Sequence, residues 1–185
     1  MRRREEILDG ARRCFARHGY EGATVSRLEE ETGLSRGAIF NYFPTKEALF
    51  VALVEADQAR FGRIWLEEGY DQAVRAIVAE DPAWLGVYLE SVRRLRTDPD
   101  FARRRQEAGA ALSRAVEGAL AEAQERGELR GDLPAETLAK FLGVVVDGLA
   151  VRAAAGWATG ALEDILRLVA DATSAAAGTS ARTSP

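Results

Sequence analysis

The sequence predicts an all-α protein of about nine helices, and three observations support this fold class. Apolar residues recur at steps of three and four along most of the chain, as they do on the buried face of a helix. Polar and apolar residues nowhere alternate as they would in a half-buried strand. Gly and Pro separate the periodic segments, often next to a residue that can cap a helix.

Most of the predicted helices begin at a side chain that can cap them, because an oxygen of Ser, Thr or Asp accepts a free amide of the first turn. The expected caps, in chain order, are Thr24, Ser35, Thr45, Asp81, Asp98 and Asp132. The first helix should end at Gly19 with a left-handed residue, and the third should reach about Phe43, before Pro44. The last helix should run from Leu162 to about Thr173.

The composition is that of a globular protein with one or two compact domains. Of the 185 residues, 47% are hydrophobic and 29% are charged, which is too apolar for a disordered chain. No stretch approaches the roughly 18 apolar residues of a membrane span, and the N-terminus lacks the apolar core of a signal peptide. We therefore expect a cytoplasmic protein with no membrane partner. The single cysteine, Cys14, is expected to be a buried, inert thiol.

The net charge of −4 does not by itself suggest nucleic-acid binding, but the charge is unevenly distributed. Residues 1–48 contain nine Lys or Arg and eight Asp or Glu, which gives +1 and leaves −5 for the rest of the chain. An acidic remainder would discourage DNA from binding to the wrong surface. The placement of the positive side chains on one face therefore matters more than their number.

Residues 24–43 have the pattern of a helix-turn-helix. Two helices of about two turns each are joined by Thr-Gly-Leu-Ser, in which Gly33 supplies backbone freedom and Leu34 fills the space between the helices. Ser35 would cap the second of these helices, so that its first amides and its hydroxyl could meet a phosphate. Gly37 would let the backbone approach a duplex closely.

This segment resembles the TetR family of repressors. The matching residues are Phe15, Gly19, Tyr20, Thr24, Val25 and the run from Gly33 to Leu49. The family usually has Tyr where this chain has Phe40, and often His where it has Asn41. The resemblance implies a homodimer that represses transcription at a pseudo-palindromic double-stranded DNA operator and is released by a small-molecule effector.

The resemblance also implies a division of the chain into a helix-turn-helix DNA-binding domain, 1–48, and a helical ligand-binding and dimerisation domain, 49–173. Residues 174–185 are rich in Ala, Gly, Ser and Thr, and this composition predicts a disordered tail. No cofactor is obligatory in this interpretation, and the residues alone do not identify the effector. Within the family, residues 6–15 and 95–99 are most similar to a repressor of a citrate-cycle gene, which implies citrate with a divalent cation as a candidate effector.

The family's DNA contacts, carried over to the matching positions, fall on Thr24, Ser35, Arg36, Gly37, Asn41, Tyr42 and Lys46. Arg36 is expected to read a guanine edge, because its forked donors suit O6 and N7. Tyr42 and Lys46 are expected to hold phosphates, which give affinity and register. The alternative is that these are ordinary surface polar groups of a helical bundle.

The ligand site is harder to predict. Trp84 and Tyr88 lie four residues apart on one helical face and could line a pocket, or they could be core aromatics. Arg93 could meet an anionic ligand, although a solvated charge is the default. Asp147 and Arg152 lie inside an otherwise apolar helix, where charges should be paired or functional.

Two helices near the C-terminus have apolar faces larger than one bundle requires. These faces predict a four-helix interface across a two-fold axis, and the alternative is a purely internal core. The residues assigned to this interface are Leu142, Val145, Val146, Leu149, Ile165, Leu166 and Val169.

An enzyme is not expected. The one histidine, His18, falls on a core-facing stripe, and the sequence has no nucleophile motif, no Gly-rich phosphate loop and no His/Cys spacing for a metal. The remaining alternative to a DNA-binding regulator is a helical adaptor that binds a partner protein and has no DNA affinity.

Overall fold

A computed structural model describes residues 2–157 and 160–177, apart from the side chains of Glu90, Ser91, Arg93, Arg94 and Ala108. These described residues form nine α-helices and no sheet, which confirms the predicted fold class. In chain order the helices are α1 (Arg2–Gly22), α2 (Val25–Thr32), α3 (Arg36–Phe40), α4 (Lys46–Glu68), α5 (Tyr70–Val78), α6 (Pro82–Thr97), α7 (Pro99–Glu125), α8 (Ala135–Ala154) and α9 (Leu162–Thr173). No helix in this part of the chain is both long and apolar enough to cross a membrane.

Several predicted caps are present. The side chains of Thr24, Ser35, Thr45 and Asp98 each accept a hydrogen bond from the backbone amide three residues later. Asp132 does not cap a helix. It pairs with Arg130, and α8 begins after Pro134 without a side-chain cap.

The ends of α1 and α3 differ from the prediction. Gly19 has a positive φ of 68°, but its ψ of 172° is not that of a left-handed helical cap. The chain kinks there and makes a further turn to Gly22, a backbone conformation that glycine adopts without strain. Helix α3 ends at Phe40, because residues 41–43 form a turn in which Tyr42 and Phe43 both donate to the carbonyl of Ile39.

One apolar core joins the N-terminal helices to the rest of the molecule. Phe15 packs against Phe50 of α4 with ring centroids 5.5 Å apart, and Phe50 packs against Trp84 of α6 at 6.2 Å. Buried residues of α1, α2, α4 and α6 belong to this same cluster. The division of the chain after residue 48 stays a prediction, since this core continues across it.

Helices α7, α8 and α9 form a second apolar region, and it changes the predicted dimer face. Leu142, Leu149, Leu166 and Val169 are buried within the protomer, so they cannot form a surface between two copies. The other three assigned residues, Val145, Val146 and Ile165, are half-buried against the same clusters. For the four buried residues the periodicity is that of the internal core, which was the alternative interpretation, and a dimer contact through the other three stays a prediction.

The beginning of the predicted tail is structured. Ser174 forms an isolated antiparallel bridge with Leu129, and residues 175–177 are helical. The bridge holds the end of α9 against the loop after α7, where Arg130 donates to the carbonyl of Ala172. Residues 178–185, for which disorder was also predicted, lie outside the described residues.

Candidate nucleic-acid interface and effector cavity

The turn between α2 and α3 is held by hydrogen bonds within residues 28–34. Gly33 is left-handed, with φ 68° and ψ 17°, and its amide donates to the carbonyl of Glu29 at 2.9 Å. The Thr32 hydroxyl donates to the carbonyl of Leu28 at 2.6 Å and accepts from the amide of Leu34 at 3.2 Å. These bonds fix the angle between the two helices, so the polar side of α3 has one defined orientation.

Two of the first three amides of α3, those of Arg36 and Ala38, already have acceptors. Ser35 Oγ accepts from the amide of Ala38 at 3.3 Å, and Glu29 Oε1 accepts from the amide of Arg36 at 2.6 Å. The predicted phosphate contact through these amides would therefore have to replace an internal bond. The Ser35 hydroxyl keeps its own proton as a donor.

Six of the seven predicted DNA contacts lie together on the solvent side of α2, α3 and the following turn. Thr24, Ser35, Arg36, Gly37, Asn41 and Tyr42 are all exposed, Tyr42 to 48%. A Cβ added at Gly37 would meet nothing within 4 Å, so the backbone there is open to a close approach from outside. On the opposite side of α3, Ile39 and Phe43 are buried and anchor it to the core.

Lys46 is placed differently from the prediction. Its ammonium donates to the carbonyl of Tyr20 at 2.9 Å and lies 4.6 Å from the centroid of the Tyr20 ring. In this structure Lys46 therefore joins the start of α4 to the end of α1, and it does not present a free charge to solvent.

Most cations of residues 1–48, here called the head, are occupied by acceptors of the protein itself. These are Arg2 and Arg3 with Glu6, Arg12 with Asp57 and Glu80, Arg13 and Arg17 with Glu31, Arg27 with the carbonyl of Gly22, and Lys46 with that of Tyr20. Within the described chain, the guanidiniums of Arg4 and Arg36 alone in the head have neither an ion pair nor a hydrogen bond. Arg36 lies 5.9 Å from the Phe40 ring centroid, and Arg4 lies 5.3 Å from that of Phe43.

A cavity of about 200 Å³ lies between α4, α5, α6, α7 and α8. Its wall is mostly apolar and aromatic, and it also contains the carboxylates of Asp57, Glu80 and Asp147. Apolar walls with a few polar groups are typical of small-molecule sites. The described residues include no group of three His, Cys, Asp or Glu that could hold a metal ion.

The cavity brings together three of the five predicted ligand residues. Trp84, Tyr88 and Asp147 all line it. Desolvation raises the pKa of the Asp147 carboxyl above its ordinary value. Arg152 is exposed and lies 5.4 Å from the centroid of the Trp157 ring, away from the cavity wall. The side chain of Arg93 lies outside the described part of the chain.

Asp57, which was not among the predicted ligand residues, links the cavity to the head. Only 7% of Asp57 is exposed; it accepts from Trp84 Nε1 at 2.7 Å and pairs with Arg12 of α1. The Arg12 guanidinium also lies 4.6 Å from the Trp84 ring centroid and 3.3 Å from Glu80. Little in the sequence distinguishes Asp57, because it lies among the polar residues Glu55, Gln58 and Arg60.

Arg105 of α7 was also missed. Its guanidinium donates to Gln58 Oε1 at 2.6 Å and to the Tyr88 hydroxyl at 3.4 Å, and both of these residues line the cavity. Its Nε is buried without a hydrogen-bond partner, and no described carboxylate pairs with the guanidinium. Nothing in the sequence distinguishes Arg105 from the neighbouring arginines at 103 and 104.

Both halves of the chain match known protein families. Residues 7–53 match the tetR family of bacterial regulatory proteins, and residues 66–178 match the C-terminal region of BetI-type transcriptional repressors. The transcriptional repressor AcnR of Corynebacterium efficiens is 47% identical over 169 residues, which cover 90% of this chain and 89% of the relative. A repressor of Mycobacterium tuberculosis is 43% identical, with 90% of each chain covered.

Solved structures show the same fold at low sequence identity. GusR of Salmonella enterica matches with a TM-score of 0.75 and 23% identity, covering 91% of this chain and 93% of its own. A TetR regulator of Haloarcula marismortui matches with a TM-score of 0.73 and 22% identity, covering 92% and 97%. The sequence relatives and the two regions matched show that this chain belongs to the TetR family of transcriptional regulators.

Proposed function

We propose that this protein is a cytoplasmic transcriptional repressor that binds a pseudo-palindromic operator as a homodimer. The observation that carries the proposal is the exposed polar side of α3, where Arg36 has no internal acceptor while most other cations of the head do. A guanidinium without a partner is available for a guanine edge. The relatives named as repressors, which align with 90% of the chain, support the direction of regulation.

The homodimer is proposed on a different set of residues from the one that periodicity suggested. Apolar side chains on α8 and α9 remain exposed, among them Val144 at 69% and Leu168 at 67%. Phe141 and Val151 are exposed on α8 as well. Exposed apolar patches rimmed by polar residues mark interaction sites. Two copies of α8 and α9 around a two-fold axis would bury these side chains as a four-helix interface.

We propose that the cavity binds the effector and that the effector carries carboxylates. Arg105 contacts the wall residues Gln58 and Tyr88, its Nε is buried without a hydrogen-bond partner, and no described carboxylate pairs with its guanidinium. These contacts favour an anionic ligand, because guanidinium and carboxylate form paired hydrogen bonds. Citrate with a divalent cation, as the similarity to a repressor of a citrate-cycle gene implies, has this chemistry. Asp57 and Glu80 on the wall are already paired with Arg12, so the cation of such a complex would have to be held mainly by the citrate itself.

The contacts around Asp57 suggest how binding reaches the head. Asp57, Glu80 and Trp84 line the cavity and hold Arg12 of α1, so a ligand that displaces them also moves α1 relative to α4. We also expect ligand binding to tilt α4, because α4 begins directly after the recognition segment. The contacts of Arg12 add a second route, through α1. To move almost all of the protein from the DNA-binding state to the released state, the effector must favour the released state by about 5.5 kcal/mol.

The proposal is tested with the full chain on DNA from upstream of its own and neighbouring genes. Footprinting should show a two-fold-symmetric protected site. Arg36→Ala should lose affinity for the operator and lower the ratio of operator to random-duplex affinity, since each base contact contributes about 1–3 kcal/mol of discrimination. Arg167→Ala, an exposed arginine on α9, is the matched control. Salt-independent binding, or none, would instead favour the protein-binding adaptor.

The effector proposal has its own measurement. Citrate with MgCl₂ should raise the melting temperature of the wild-type protein, because a ligand that binds only the folded state stabilises it. Arg105→Gln should reduce this rise. If the wild-type protein is not stabilised while Arg36→Ala behaves as expected, the effector is a different molecule and the DNA-binding proposal stands.

A further inference from the structure

Two guanidiniums of the head, those of Arg4 and Arg36, have no ion pair or hydrogen bond among the described residues, and both lie over aromatic rings of one short segment. Arg36 lies over Phe40 and Arg4 over Phe43, and between these rings the chain presents Asn41 and Tyr42 to solvent. Arg36 belongs to the helix-turn-helix, whereas Arg4 comes from the first turn of α1. The fold therefore brings an arginine from outside the motif to the edge of the surface proposed to meet DNA.

The neighbours of Arg4 in sequence are placed differently. Arg2 and Arg3 share the carboxylate of Glu6, at 3.5 and 3.0 Å. Arg4 lies on the side of α1 that faces Phe43, 5.3 Å from the ring centroid. Phe43 is itself fixed by burial in the core, so the ring restricts where the guanidinium can lie. An arginine held over an aromatic ring loses less side-chain freedom when it binds an anion.

We infer that Arg4 is a DNA phosphate contact, which extends the interface beyond the helix-turn-helix. The inference rests on the proposed function. A phosphate is the expected partner because Arg4 lies beside the end of the recognition segment, and the sugar–phosphate backbone runs along the rim of the groove that such a segment enters. A phosphate contact adds affinity and salt dependence without adding sequence preference.

The test is the salt dependence of binding to a duplex of random sequence, with full-length protein between 50 and 200 mM salt. Each phosphate contact contributes about 0.9 to the slope of log K against log salt. A dimer with both heads on the duplex should therefore lose about 1.8 of slope in Arg4→Gln. Across the fourfold salt range the ratio of wild-type to variant affinity should then fall about twelvefold. Arg4→Lys should keep most of the slope.

Arg3→Gln is the matched control, because it removes the same charge one residue earlier from a side chain that pairs with Glu6. Its slope should equal that of the wild type. If Arg4→Gln keeps the wild-type slope while the wild type binds, the inference is wrong and the proposed function stands. An equal loss in Arg3→Gln would also overturn it, since the effect would be one of overall charge. A wild type without salt-dependent binding would overturn both.

Discussion

Asp57 is expected to contribute strongly to stability because it joins three helices. Replacing it by Ala removes the acceptor of the buried Trp84 indole N–H, which costs about 1–3 kcal/mol for an unsatisfied donor. It also removes one of the two carboxylates paired with Arg12. The Arg12 side chain keeps Glu80, is 27% exposed and can regain water, so this part should cost only about 1 kcal/mol. We expect Asp57→Ala to lower the free energy of unfolding by about 2–4 kcal/mol.

Asp57→Asn separates the two contributions. The amide oxygen can still accept from the indole of Trp84, so this variant should lose only the charge and cost about 1 kcal/mol. The assay is equilibrium urea unfolding at one fixed protomer concentration, since the stability of the proposed dimer would depend on concentration. In a Trp84→Phe background the donor is absent, and the cost of Asp57→Ala should fall by about 1–2 kcal/mol.

Two results would refute this reasoning. The first is a cost of Asp57→Ala below about 0.5 kcal/mol, which is the range of ordinary surface changes. The second is an unchanged cost in the Trp84→Phe background, which would show that the indole bond does not contribute to stability.

Three further outcomes are expected. Gly10→Ala should destabilise by about 1–3 kcal/mol in urea, because the new Cβ would lie 2.8 Å from a backbone atom of α2. A Cβ added at Gly118 on α7 would meet nothing within 4 Å, so Gly118→Ala should raise the free energy of unfolding by about 0.5–1 kcal/mol. If both variants changed the free energy of unfolding in the same direction, the close approach of α1 to α2 at Gly10 would be contradicted. Val144→Glu should give a monomer by light scattering, whereas Leu66→Glu on α4 should not. Desolvation raises the pKa of Asp147, so the folded state binds that proton more tightly than the unfolded chain does and loses stability as pH rises through the titration range. Asp147 as a whole is exposed, so its carboxyl is only partly desolvated. Asp147→Asn should therefore melt only slightly higher than wild type at pH 7, with the difference disappearing below the ordinary aspartate pKa of about 3.9.

The helices and the recognition segment could be predicted from sequence because their signals are local. A cap and the amide it accepts from are three residues apart, as at Thr45, and the turn at Gly33 depends on its immediate neighbours. Lys46 shows the limit of this reasoning. Its position matched the family pattern, but the carbonyl that binds it belongs to Tyr20, at the kinked end of α1. Such a partner is fixed by packing and not by sequence spacing.

The dimer face proposed above could not be predicted from sequence, because α8 is apolar on more than one side. Periodicity identifies a stripe such as Leu142 and Leu149, but it does not say whether that stripe meets the protein's own core or a second copy. Val144 can be identified as exposed only from the structure, in which other helices pack against α8 and leave this side chain 69% accessible. For the cavity, a charge within an apolar run was a valid signal at Asp147, whereas Asp57 lies among polar residues of α4 and could not be found in this way. Arg152 gave the same signal and lies elsewhere.

The ring contact between Phe50 and Trp84 has a consequence for what happens when the chain is cut. A fragment that ended near residue 48 would lose both rings and leave Phe15 facing water. Such a fragment would not keep its shape, so proteolysis between the two halves would destroy operator binding and would not leave a repressor that ignores its effector. If the protein is the operator-binding repressor proposed above, its degradation would relieve repression without leaving a fragment that still blocks the target genes.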